Sequence, residues 1–103
     1  MAKPTALSPS EIDAALNTLP DWKREGDVIR AVYKFASFRD AFAFIARVAF
    51  EVEAMNHHPE IANVYNRVSF SLTTHDAGDK VSERDIELAK RISAVVRPFL
   101  PPG

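Results

Sequence analysis

The sequence predicts an α+β domain: a four-stranded antiparallel sheet with three helices packed on one face, in the order α-β-β-α-β-β-α. Three observations carry this prediction. Apolar residues recur at helical spacing in three stretches, near residues 8–19, 38–55 and 82–99. Between these stretches lie two pairs of short segments, several with the alternation of half-buried strands. Each pair is joined by a turn signal, Gly26-Asp27 in the first and the neighbourhood of Asn66 in the second. The 103 residues suit one small domain spanning 1–103.

Each element has its own justification. Residues 1–7 read as a loose lead-in. Ser8 is an N-cap, with Pro9 at the first helical position and Glu11 completing a capping box. Ile12, Ala15, Leu16 and Leu19 follow at helical spacing, and Pro20 stops the helix. Trp22–Glu25 is a short strand. In the next, Ile29, Ala31, Tyr33 and Phe35 share one side, and Arg30 and Lys34 the other. Ser37 caps a second helix from Phe38 to Met55, with Asp40 in its first turn. Phe38, Phe42, Ile45, Ala49 and Val52 form its apolar stripe, which Phe44, Val48 and Phe50 widen beyond one face. The surplus is buried either by a partner chain or in the domain's own core.

Ile61–Tyr65 and Val68–Thr74 form the second hairpin. Val68, Phe70 and Leu72 face one way; Ser69, Ser71 and Thr73 face the other. His75 has the parity of the polar set, so it points away from the apolar face or sits just past the strand. Ser82 with Asp85 repeats the capping-box spacing. The third helix lays Ile86, Ala89, Ile92, Val95, Val96 and Phe99 inward. Helices on one face leave the other face of the sheet polar and open.

Composition narrows the function. A net charge of -1 points to neither a nucleic-acid nor a membrane partner. The absence of cysteine excludes disulfides, thiolate metal sites and cysteine nucleophiles. No apolar run resembles a signal peptide or spans a bilayer, so a soluble, cytoplasmic protein is expected.

All three histidines, His57, His58 and His75, lie between Glu53 and Asp85. His57 is nine residues before Asn66 and His75 nine after it. Antiparallel pairing about that turn brings His57-His58 and His75 to one end of the sheet. Glu53, four residues before His57, meets its ring if the helix continues that far. Pro59 restricts His58 to extended backbone. Asp85 stands in the first turn of the third helix, a favoured place for a carboxylate. Taken singly these are ordinary residues: a packing or surface histidine, a solvated glutamate, a capping aspartate, and in Trp22 a core or rim aromatic. Their gathering at one strand end is what argues for acid–base chemistry.

The run Glu53, three residues, His57-His58-Pro59, five residues, Tyr65, nine residues, His75, then Asp85 resembles the signature of the pterin-4a-carbinolamine dehydratases. Trp22 and the Ser82-Glu83-Arg84-Asp85 run resemble family positions too, so the likeness covers most of the chain. It departs at Ala77, where some animal relatives carry a cysteine. The resemblance implies an α+β fold, a homodimer or homotetramer, and no cofactor and no metal. It also implies loss of water from a 4a-hydroxytetrahydropterin to give the quinonoid dihydropterin, in support of aromatic amino acid hydroxylation. His57 and His75 would then be the acid–base pair, with His58 holding the substrate and assisting departure of the hydroxyl. Glu53 would orient or charge-tune His57, Asp85 would support, and Trp22 would pack beside the pterin. Three alternatives stand beside this reading. One is a zinc-dependent hydrolase, which the non-standard ligand spacing argues against. Another is a non-catalytic interaction or dimerisation module, as some animal relatives bind a homeodomain transcription factor. The last is a relative acting on another pterin, such as in the molybdopterin pathway.

Overall fold

Ser8 opens the first helix as its sequence requires. Its hydroxyl accepts from the Glu11 N–H at 3.2 Å, and the Glu11 carboxylate accepts from the Ser8 N–H at 2.8 Å. Those bonds hold the Glu11 carboxyl below its usual range. The computed structural model describes residues 3–102, so the first two residues of the lead-in and Gly103 lie outside the described residues. The lead-in is not loose at its end: the Leu7 N–H donates to the Val81 carbonyl at 2.8 Å.

The elements follow the predicted order: α1 (Pro9–Leu16), β1 (Trp22–Glu25), β2 (Val28–Lys34), α2 (Phe38–Met55), β3 (Glu60–Val64), β4 (Arg67–Leu72) and α3 (Glu83–Val96). Short 3-10 turns occupy His75–Ala77 and Arg97–Phe99. The strands form one antiparallel sheet in the order β1-β2-β4-β3. Gly26 takes a φ of 60° in the first hairpin turn, the left-handed region that glycine enters without penalty.

Ile29, Ala31, Tyr33, Val68, Phe70 and Leu72 form the buried face of the sheet. Phe44 of α2 is wholly buried against it, with ring centroids 5.7 Å from Tyr33 and 5.8 Å from Phe70, both edge-on. Ile86, Leu88, Ala89 and Ile92 of α3 close the core. Burying each large apolar side chain contributes about 1.5–3 kcal/mol. Trp22 belongs to this core: it is buried near Phe70, and its indole N–H donates to the Ser93 hydroxyl at 3.0 Å.

Two packing expectations are corrected. The buried stripe of α2 is Ala41, Phe44, Val48 and Val52, whereas Phe38, Phe42 and Ala49 are exposed. Phe50 is 72% exposed. Apolar residues cover so much of this helix that their spacing does not fix which stripe faces inward. Of the residues that widen the expected stripe, Phe44 and Val48 are therefore buried in the domain's own core, and Phe50 is left outside it with Phe38 and Phe42. The open face of the sheet is also mixed rather than polar, since exposed Val32 and Val64 share it with Lys34 and Arg67. Among the described residues no helix is long and apolar enough to cross a membrane.

Candidate active site

The site begins where α2 stops. Asn56 caps the helix in the left-handed region, with a φ of 49°, and turns the chain off the helix axis. His57 is therefore outside the helix, with its N–H donating to the Val52 carbonyl at 3.2 Å. Its ring is buried against α3, and Nε2 lies 2.6 Å from Oδ1 of Asp85. Asp85, wholly buried, accepts from the Ser82 N–H at 2.9 Å and the Thr74 hydroxyl at 2.7 Å, both on Oδ2. The aspartate thus caps α3 and holds a histidine from another segment at once.

Glu53 does not reach His57, as the sequence spacing suggested. Its carboxylate lies 3.3 Å from Nε2 of His58 instead, at an exposed rim. The i, i+4 relation requires continuous helix, and the turn at Asn56 removes it.

His75 sits just past β4, the second of the two positions its parity allowed. Its side chain is 90% exposed, and Nδ1 lies 2.9 Å from Oδ1 of Asp79. The hydrogen bond and charge of Asp79, with the further charge of Asp76, raise the imidazole above its ordinary value of 6.5.

The second hairpin delivers these groups to one end. Val64 pairs with Arg67 and Glu60 with Ser71, so the turn is Tyr65-Asn66 and its centre falls between them. Extending that register sets Thr74 across from His57, with His75 one residue beyond. All three histidines line one cleft of about 310 Å³, together with Thr74, Asp76 and Arg84. That volume lies at the lower end of the range for small-molecule sites. Clefts of about 340 and 400 Å³ elsewhere contain no histidine, so volume alone does not mark the site. Trp22 does not line the histidine cleft; it lies in the core under the opposite side of the sheet. Tyr65, exposed with a φ of 51°, marks the far end of the hairpin.

Comparison with known proteins gives the family. A family model described as pterin 4 alpha carbinolamine dehydratase matches residues 5–95. The chain belongs to the pterin-4a-carbinolamine dehydratase family. A protein of Opitutus terrae, provisionally named pterin-4-alpha-carbinolamine dehydratase, is 50% identical over 92 residues, covering 89% of this chain and 95% of the relative. A Synechococcus relative with the same provisional name is 48% identical over 89 residues, covering 86% of this chain and 95% of its own. A crystal structure of a Brucella melitensis protein, titled a transcriptional coactivator/pterin dehydratase, superposes with a TM-score of 0.84 at 37% identity. That match covers 89% of this chain and 99% of the other.

Of the residues that carry the resemblance to the dehydratase family, His57, His58 and His75 share the cleft and Asp85 stands behind His57. Glu53 joins through His58. Two polar partners were not foreseen from the sequence. Asp79 was readable in principle, four residues after His75 beside the turn former Gly78. Thr74 was not, because its contacts with Ser82 and Asp85 arise from a crossing of chain that local spacing does not encode.

Proposed function

We propose that the protein dehydrates a 4a-hydroxytetrahydropterin to the quinonoid dihydropterin by histidine acid–base catalysis. One observation carries the reading: three imidazoles around one cleft, each held by a different carboxylate. The reaction breaks the C4a–O bond. The departing hydroxyl takes a proton and leaves as water, while the N5 proton passes to a base and its electron pair forms the N5–C4a double bond. One proton donor and one proton acceptor, poised near neutrality, satisfy that balance.

His75 suits the donor, because Asp79 and Asp76 favour its protonated form. His57 suits the acceptor. Asp85 engages its Nε2, and Nδ1 makes no hydrogen bond among the described residues. No wholly buried side-chain nitrogen or oxygen there lacks a partner, so Nδ1 is open to solvent and substrate. His58 at the rim holds the substrate and assists the hydroxyl. Stopped-flow dehydration of a synthetic carbinolamine tests the reading. Turnover well above the uncatalysed background is expected; a rate equal to background ends it.

The same reading includes self-association. Phe38, Phe42 and Phe50 form an exposed apolar strip on α2, and the edge strand β3 carries exposed Ile61 and Val64. Such a strip and an uncovered strand edge favour a second copy over solvent. Sedimentation should give a dimer or tetramer at micromolar concentration, weakened by Phe50→Glu. A monomer at that concentration would refute it.

A further inference from the structure

The hydrogen atoms around Asp85 can be assigned one by one. Thr74 Oγ1 lies 2.7 Å from Oδ2 of Asp85 and 2.6 Å from Oγ of Ser82. A carboxylate only accepts, so the single Thr74 hydroxyl proton goes to Asp85. The Ser82 hydroxyl must then donate to Thr74. Its oxygen in turn accepts from the Arg84 N–H at 3.2 Å. The chain of donors runs in one direction, from the Arg84 amide through Ser82 and Thr74 to Asp85. The Ser82 N–H supplies the second bond to Oδ2. Oδ2 thus accepts two hydrogen bonds, and Oδ1 alone faces the histidine.

We propose that Thr74 is a positioning residue for His57, acting through Asp85. By occupying Oδ2 it holds the carboxylate with Oδ1 aimed at the ring. The shared proton therefore lies on Nε2 when His57 is neutral, and the lone pair lies on Nδ1, toward the cleft. The catalytic consequence rests on the dehydratase reading above; the tautomer does not. Thr74 and Ser82 are both buried, so no water replaces a missing hydroxyl without rearrangement. The hydroxyl of Thr74, rather than its bulk, is what the arrangement requires.

The test compares the wild type with Thr74→Val, which keeps the shape and removes the hydroxyl, and Thr74→Ser, which keeps the hydroxyl. Nitrogen NMR of His57, read through a pH scan until the ring is neutral, gives the tautomer. Steady-state kinetics with the synthetic carbinolamine give kcat and KM. The wild type and Thr74→Ser should hold the proton on Nε2. Thr74→Val should show mixed tautomers, with kcat lowered about 10- to 100-fold, the scale on which outer-shell partners act on metal-bound histidines, and KM little changed. A Thr74→Val protein with wild-type tautomer and kcat overturns the proposal, as does Thr74→Ser behaving like Thr74→Val. Should the variants fail to fold, the wild type decides: a neutral His57 protonated on Nδ1 overturns it, and protonation on Nε2 supports it. A tautomer that responds as expected in a protein without turnover would refute the dehydratase reading and leave Thr74 in its role.

Discussion

His57 and Asp85 are 28 residues apart in the chain and 2.6 Å apart in the fold. Both are buried, with Nε2 of the ring facing Oδ1 of the carboxylate. Removing one partner of such a pair is costlier than the pair itself is stabilising, because the remaining group is left without its partner away from water. His57→Ala should therefore destabilise the protein by about 3–5 kcal/mol as well as abolish turnover. Urea unfolding reads the first effect and the dehydration assay the second. A His57→Ala protein as stable as the wild type would show that the pair does not form.

His75 offers the contrast. Its ring is 90% exposed and, among the described residues, hydrogen-bonded only to Asp79, so His75→Ala should leave thermal stability almost unchanged. Turnover should fall about 100- to 10,000-fold if the ring donates the leaving-group proton. Near-normal turnover in the variant would remove His75 from the chemistry.

The pH profile carries a sign. Asp79 raises His75 above its ordinary value, so the pairing contributes stability that is fully present below the unfolded value of about 6.5. That contribution is lost as pH rises through the folded value. Asp79→Asn lowers the folded value. A protonated donor is then lost sooner, so the high-pH limb of the kcat profile should move to lower pH. NMR titration of His75 checks the same shift directly. An unmoved limb would mean that some other group donates the proton.

Glu53 is 78% exposed and its partner His58 is 58% exposed, so this ion pair contributes about 0–1 kcal/mol. Glu53→Gln should leave thermal stability almost unchanged. It should shift the ring resonances of His58 and leave those of His57 in place. A response at His57 would restore the pairing that the sequence spacing suggests.

Much of this is legible in the sequence. The capping boxes at Ser8 and Ser82 lie within four residues each, and local hydrogen-bond chemistry fixes them. The alternation through Val68, Phe70 and Leu72 fixed the inward face of β4, and those three side chains are wholly buried. Symmetry about the turn near Asn66 was enough to bring the histidines to one end, because a register error of one residue changes neighbours but not neighbourhoods.

The pairings were another matter. Glu53 changed partner from His57 to His58 because one residue, Asn56, adopts a left-handed conformation that helix spacing cannot anticipate. Which stripe of α2 turned inward depended on the shape of the sheet beneath it, since the helix is apolar on several sides. Trp22 lies in the core beside Phe70, where Ser93, 71 residues away, accepts its indole proton.

Sequence alone determined the elements, their order and the end of the sheet where the chemistry gathers, because periodicity and capping act over a few residues. Tertiary structure alone decided which carboxylate holds which imidazole, because those bonds join segments whose approach is set by the packing of the whole core.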